Sequence, residues 1–520
     1  MAAQDATMYW LSARTRNDLF LLYCFTDTGR PTADLRTFVA ERSARIADLR
    51  VRARVVPGDL DYPSWVRCDF TADQFVEHVL AEPDWAHLQA ALGEVLGTGV
   101  DAAVRPWRLH VFRGIVDAPG RNRARPMSGA GSAPVDGDPG PTSQDDSGPV
   151  LVAVLQMSHA LADGRRAAEI ARALFAEADP AAEANSAGGG TRTDRPLGFR
   201  ALATLVTRTV GTKVVGFGPY ATLRDSAADV LRGSVGAATS ASAAAALALP
   251  QLPIRLARTA FRGYQAFRAQ QELAEFTAAG RLPSPGPGFP PSLVNQAATE
   301  ADSGHQVRMI VCDSAALRVP GRTVTVVVLT AVSLALARYL EGRGGAAVRL
   351  GAQVPVALSD TAMSNARNNY RSLSIDLRID EPDLRHRADK IAAAMADRRV
   401  RAQHPLLAAQ DRVTAVVPAP LLRRDVGRYP LDAVPDSIAG HTVVSSVHRG
   451  PANLTFGGGL VRFTGGFPAI GSVMRLTHGV HGLGETVTIS LHADAATIPD
   501  LDVYAELLRT ALDETCRDLK

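Results

Sequence analysis

A nearly unbroken apolar run, PVLVAVLQM (Pro149–Met157), closes on the turn SHALADG. Apolar residues without polar alternation belong to a strand covered on both faces. After the turn, RRAAEIARALFAEA places apolar residues at helical spacing through Ala178. The pattern therefore predicts strand, turn and helix in that order. Upstream, WRLHVFRGIV (Trp107–Val116) reads as a strand because β-branched and aromatic residues dominate it. The first segment, from about Tyr9 to Leu96, has helix-like spacing in DLFLLYCF and FVEHVLAEPDWAHLQAAL.

Residues 118–149 are crowded with Gly, Pro, Ser and Asp, which bury too little apolar surface to offset ordering, and a disordered surface loop is expected there. A second flexible stretch, ANSAGGGTRTDRP, closes this half. From Phe199 to about Phe276 the chain is alanine-rich and helical in pattern, with nine Arg or Lys between Arg200 and Arg268 against only Asp225 and Asp229. In PIRLARTAFRGYQAF, Ile254, Ala257, Phe261 and Tyr264 share one helical face, while Arg255, Arg258 and Arg262 share another. Two readings stand for it: a helix lying on an anionic membrane surface, or a solvated basic face on a helix packed against its own domain.

A Pro/Gly-rich hinge, RLPSPGPGFPPS, spans Arg281–Ser292. Beyond it HQVRMIVCD reads as a strand, TVTVVVLTAVSLALARYLEGRGG as a strand end running into a helix, and VRLGAQVPVAL as a strand. NNYRSLSIDL, LVRFTGG and GETVTISLHAD have strand character, and VYAELLRTALDETCRDL is an amphipathic helix. The fold class is α/β. At 520 residues the chain exceeds what one core serves. The expected division is 1–195, then a helical crossover region over 196–292, then 293–520.

Apolar residues make up 46% and charged residues 21%, which suits a globular chain. A formal net charge of +3, with no aromatic-interleaved basic patch, argues against a nucleic-acid partner. Cys24, Cys68, Cys312 and Cys516 lack CxxC spacing, so neither a zinc site nor a disulfide framework is indicated. The opening MAAQDATMYWLSARTRND lacks a basic start followed by an apolar core, and no secretory signal is expected. No uncharged apolar run reaches the roughly 18 to 20 residues a membrane span needs. VTVVVLTAVSLALA (Val324–Ala337) is read as a buried element.

The chemistry gathers at MSHALADGRR (Met157–Arg166). A histidine titrates near neutrality, so it can take a proton and return it within one turnover. At a strand end, His159 would reach the edge of the sheet. Asp163, at the start of the helix, can anchor the turn through backbone N–H groups or an arginine. Gly164 would supply a backbone conformation barred to other residues. By itself HxxxDG is a weak pattern, and a working base and a capped-turn histidine both remain open.

SHALADG resembles the HHxxxDG signature of acyltransferases related to chloramphenicol acetyltransferase. Several further segments are similar to the bacterial wax ester synthase/diacylglycerol acyltransferase (WS/DGAT) family. RPWRLHVF resembles its Pro-Leu-Trp strand through Pro106 and Trp107, TVTVVVLTAVSLALARYL its TVNDVVLAAVAGALRRYL-type segment, and AQVPVAL its MVPVS strand. NNYRSLSIDL is similar to the Gly-Asn-Arg-leading strand, SSVHRGP to the SNVPGP turn, and GLGETVTISLHADAATIPD to the glycine-led C-terminal strand. The resemblance implies two chloramphenicol-acetyltransferase-like α/β subdomains forming an interface tunnel, with His159 as general base, Asp163 structural and Gly164 in the turn. It implies acyl-CoA as cosubstrate, no bound cofactor, a hydroxyl-bearing lipid acceptor and a cytoplasmic place at the edge of a membrane or lipid droplet.

The chain departs from the family at three points. Ser158 replaces the first histidine, Thr325-Val326 replaces the Asn-Asp pair, and Ser446 replaces the Asn of SNVPGP. Ser158 bears on acceptor positioning, while Thr325, Asn369 and Ser446 are the candidates to stabilise an oxyanion. Trp107 reads as core packing, and at most one of Arg105 and Arg108 could reach Asp163. His478 and His481 form an HxxH pair with no further ligands beside it, so no metal is expected. The expected function is an acyl-CoA-dependent O-acyltransferase acting on a lipid-like alcohol or diacylglycerol. The alternative is a non-catalytic lipid-binding or membrane-surface protein on the same scaffold.

Overall fold

The computed structural model describes residues 1–120, 148–176, 252–297, 304–345, 348–358, 366–431 and 433–520. The expected loop over 118–149 lies mostly outside the described residues, as do ANSAGGGTRTDRP and the basic region up to residue 251. The first described elements are α1 (Ala3–Ser12), β1 (Leu19–Thr26), α2 (Thr32–Ser43), β2 (Val51–Arg54), β3 (Ser64–Arg67), β4 (Phe75–His78) and α3 (Trp85–Gly97). Next come β5 (Trp107–Ile115), β6 (Val150–Met157), α4 (Gly164–Phe175), α5 (Leu252–Ala278), β7 (His305–Asp313), α6 (Val324–Gly342), β8 (Gly351–Ala357) and β9 (Tyr370–Asp376). The remainder are α7 (Leu384–Ala402), α8 (Ala408–Thr414), α9 (Ala419–Arg428), β10 (Thr442–His448), β11 (Thr455–Phe456), β12 (Gly459–Phe467), β13 (Leu476–Leu483), β14 (Thr486–Asp494) and α10 (Leu501–Leu519).

Two six-stranded sheets organise the molecule, in the orders β11-β12-β1-β6-β5-β4 and β7-β14-β13-β10-β8-β9. β6 lies between β1 and β5, antiparallel to both, and all eight of its residues are buried. That burial is why its sequence lacks polar alternation. One face of the first sheet packs on α2 and α4; the other meets α3 and β7, so a strand of the second sheet enters the core of the first. α6, α7 and α10 cover the second sheet. β12, from the last quarter of the chain, pairs antiparallel with β1 and completes the first sheet.

Several expected elements change. DLFLLYCF is strand β1 rather than helix, because it is clamped between β6 and β12 and six of its residues are buried. FVEH is strand β4, and the following helix starts only at Trp85, where the Asp84 side chain accepts the His87 N–H. TVTVVVLTAVSLALARYL forms no strand: α6 runs from Val324, capped by Thr323, which accepts the Val326 N–H at 3.4 Å. Its β-branched residues each cost a few tenths of a kcal/mol in a helix. Burying each contributes about 1.5–3 kcal/mol, and twelve α6 residues are buried. α6 is also long and apolar enough to cross a membrane by composition, and its burial accounts for that apolarity. Finally, SSVH lies within β10 and THGVHGL within β13, so the expected turn begins only at Arg449.

α5 packs against its own domain and exposes Arg258 and Arg268, but it also exposes apolar side chains beside them. Thr259, Ala266, Ala269 and Leu273 point inward, and Arg255 binds Asp61 at 2.5 and 3.1 Å. Ile254, Phe261, Tyr264 and Phe267 point outward, with Phe261 58% and Tyr264 60% exposed. α1 joins the same helical cluster through Ala3, Ala6 and Trp10, against α5, α8 and α9.

Candidate active site

Met157 ends β6 in register with Leu19 on one side and Trp107 on the other. Ser158 extends the ladder by one bond, its N–H donating to Pro106 O at 2.8 Å, and the chain then turns with Leu161 N–H on Ser158 O at 2.8 Å. The Ser158 hydroxyl is fully buried and accepts the Ala160 N–H at 3.3 Å. It therefore serves the turn. Asp163 has extended backbone and caps α4, Oδ1 accepting the Arg166 N–H at 2.9 Å. Its Oδ2 accepts the Asn369 N–H at 3.0 Å, and its own N–H donates to Arg367 O at 3.2 Å. The aspartate thus joins the histidine turn to the segment entering β9.

Gly164 does not hold the special conformation expected of it. It is the first residue of α4, it is not among the residues with positive φ, and an added Cβ would meet only Val447 Cγ2 at an ordinary 3.8 Å. The turn needs no left-handed residue, because Asp163 supplies the helix cap instead. The same 3.8 Å places β10, on the second sheet, against the histidine turn.

His159 is half-buried. Its Nδ1 lies 2.8 Å from Asn368 Oδ1, while Asn368 Nδ2 donates to His159 O at 2.7 Å and to Asp5 Oδ1 at 3.1 Å. Burial by the surrounding protein lowers the imidazole pKa below its ordinary 6.5, against an opposing pull from its own carbonyl, Asn368, Asp163 and Asp5. The ring is accordingly neutral at neutral pH. Tyr370 tilts beside it with ring centroids 5.9 Å apart, and burial pushes the phenol up to about 12.

Segment 367–369 is gripped by three aspartates. Arg367 Nη1 donates to Asp48 Oδ1 at 2.6 Å and to Leu161 O at 3.3 Å, with its guanidinium 4.9 Å from the Trp65 ring. Arg166 binds both oxygens of Asp48, at 2.8 and 3.1 Å. Burial would raise the Asp48 pKa, but the two guanidinium partners outweigh it and hold the carboxylate below its ordinary range. Asp5, 1% exposed, accepts the Arg367 and Asn368 backbone N–H groups at 3.0–3.1 Å.

Sequence reasoning placed the neighbouring Asn369 at the site and missed Asn368. Asn369 contributes its backbone to Asp163, and its Nδ2 donates to Leu358 O at 3.4 Å. Thr325, in the first turn of α6, donates to Ser446 on β10 at 3.0 Å, so the structure brings these two candidates together. Trp107 is fully buried, its Nε1 donating to Leu49 O at 2.9 Å. Arg105 turns to Thr71 Oγ1 at 2.6 Å, not to Asp163. His478 and His481 do not converge. His478 bonds Tyr504 OH at 2.8 Å and Thr442 Oγ1 at 2.9 Å, whereas His481, three residues on along β13, faces Gly466 of β12.

Residues 367–515 match the WS/DGAT C-terminal domain. No curated protein matches the chain by sequence. Among solved structures, a wax ester synthase/diacylglycerol acyltransferase from Marinobacter aquaeolei VT8 is similar over 99% of this chain and 98% of its own, with TM-score 0.55 at 15% identity. The starter condensation domain of rhizomide synthetase, in complex with C8-CoA, is similar over 99% of this chain and 94% of its own, with TM-score 0.51 at 13% identity. The same domain in complex with C8-CoA and Leu-SNAC gives TM-score 0.50 at 12% identity, over 100% and 94%. At these identities the structural likeness establishes the fold. Residues 367–515 match the WS/DGAT C-terminal domain, and the chain as a whole takes the two-subdomain, chloramphenicol-acetyltransferase-like fold seen in the wax ester synthase/diacylglycerol acyltransferase structure.

Proposed function

We propose that the protein is an acyl-CoA-dependent O-acyltransferase that moves a fatty acyl group to the hydroxyl of a lipid-like alcohol or diacylglycerol. The observation that carries this reading is His159: a half-buried residue at the end of a central strand, its imidazole neutral, with Nδ1 engaged by Asn368. Nε2 takes the acceptor's hydroxyl proton as the oxygen attacks the thioester carbonyl. The tetrahedral intermediate then collapses, the C–S bond breaks, and the imidazolium returns the proton to the departing CoA thiolate. In the Thr325–Ser446 pair Thr325 donates, which leaves the Ser446 hydroxyl proton for a developing oxyanion. The complexes of the rhizomide condensation domain with C8-CoA support an acyl-CoA donor. A cytoplasmic place at the edge of a membrane or lipid droplet belongs to the same proposal, and the outward apolar face of α5 supports its peripheral contact.

The test is thiol release from palmitoyl-CoA with 1-hexadecanol or dioleoylglycerol as acceptor. His159→Ala should lower the rate by about 100-fold or more with an unchanged melting curve. Equal rates in the two proteins would refute the catalytic reading. Vesicle binding without any acyl transfer would favour the alternative, a lipid-binding protein on this scaffold, for which the replacements Ser158 and Thr325-Val326 speak.

A further inference from the structure

We infer that Asn368 and Asp5 form a positioning pair that fixes the tautomer of His159, keeping the proton on Nδ1 and the lone pair on Nε2. The inference deepens the reading of His159 as a base, but its geometry stands independently of turnover. Both protons of Asn368 Nδ2 have acceptors, His159 O at 2.7 Å and Asp5 Oδ1 at 3.1 Å. Rotating the amide by half a turn would press its oxygen against a carbonyl and a carboxylate, two acceptors with no proton between them. The amide oxygen therefore stays on the imidazole, 2.8 Å from Nδ1. An amide oxygen can only accept, so Nδ1 carries the proton and a neutral ring has its lone pair on Nε2.

Asp5 makes this orientation one-sided. A buried carboxylate is costly unless hydrogen-bonded, and this one accepts two backbone N–H groups, from Arg367 and Asn368, in addition to the amide. Those bonds hold it against the segment whose Asn368 reaches His159 Nδ1. α1 delivers it, fixed in turn by Ala3, Ala6 and Trp10 in the helical cluster. The groups around the ring are thus the carbonyl of His159 itself, Asn368, Asp5, Asp163 and Tyr370, and Asn368 is the side chain among them that bonds Nδ1.

The pair is tested on the full chain labelled with ¹⁵N-histidine, His159 being assigned by its loss in His159→Ala. The wild-type spectrum should show a proton on Nδ1 and an unprotonated Nε2. Asn368→Leu should give averaged tautomers, and so should Asp5→Asn, which replaces the charged acceptor with an amide free to pair either way. Asn368→Asp should retain Nδ1–H and raise the His159 pKa by about one unit or more, because a carboxylate then faces the ring. In the transfer assay, Asn368→Leu should lower kcat on the order of tenfold to a hundredfold with KM little changed. Asn368→Asp should recover part of the rate with the acid limb of the pH profile moved upward. A wild-type proton on Nε2, or a His159 spectrum unmoved by both Asn368→Leu and Asp5→Asn, would overturn the pair. If the spectra change as expected but His159→Ala retains full transfer, the pair stands and the catalytic reading falls.

Discussion

Asp163 divides its two oxygens between the halves of the molecule: one caps α4, and the other takes the Asn369 N–H at the entrance to β9. Losing such a cap alone costs about 1 kcal/mol, and the second bond would be lost with it. Gly164, next to it, carries no comparable constraint. Gly164→Ala should leave acyl transfer unchanged and move the unfolding free energy by less than about 0.5 kcal/mol, toward stability if at all, since alanine restricts the unfolded chain more. Urea titration and the transfer assay check both halves of that statement, and a large loss of activity would mean the position needs glycine after all. His159 and Asp163 were legible because their spacing sits between an apolar strand and a helix. Asn368 was not: two adjacent asparagines are equivalent in a sequence, and only the register of the segment decides which one turns inward. Asp5 offers no motif, and its role arises solely from the docking of α1.

Among the elements, α5 carries the clearest unspent surface. Ile254, Leu256, Phe261, Tyr264 and Phe267 are exposed along it, with the exposed Arg258 and Arg268 on the same side. Apolar side chains beside arginines match an anionic bilayer surface. The triple variant Phe261→Ser, Tyr264→Ser, Phe267→Ser should reduce co-flotation with phosphatidylglycerol/phosphatidylcholine vesicles by about tenfold or more, with its melting curve intact. Undiminished flotation would put the contact elsewhere. Periodicity identified both α5 and α10 as helices, although in α5 the apolar stripe of Ile254, Phe261 and Tyr264 faces outward. It failed for β1 and α6, which are covered on nearly all sides. When no face is polar, strand and helix differ only in local propensity, and tertiary burial overrides propensity.

At the level of the whole molecule, buried histidines tie stability to pH. Burial lowers His110, His441 and His478 to about 4 from 6.5, and lowers His159 and His481 as well. Below pH 6.5 the unfolded chain takes up protons that the folded chain refuses, so stability falls as pH drops toward 4. Each fully shifted histidine contributes about 1.4 kcal/mol per pH unit in that window. Asp18, raised to about 6 by burial, works in the opposite sense, as do Asp5 and Asp425, but the lowered histidines outnumber these carboxyls. The urea midpoint should therefore fall steeply between pH 7 and pH 5; a flat profile would mean these rings are protonated in the native state. The two-subdomain α/β class could be anticipated from the alternation of elements, whereas the exchange of strands between sheets could not, because strand character says nothing about which neighbour a strand chooses. That exchange also bears on synthesis. β1 leaves the ribosome early, yet its partner β12 ends at Phe467, so one edge of β1 must wait, unpaired and apolar, until nearly the whole polypeptide has been made.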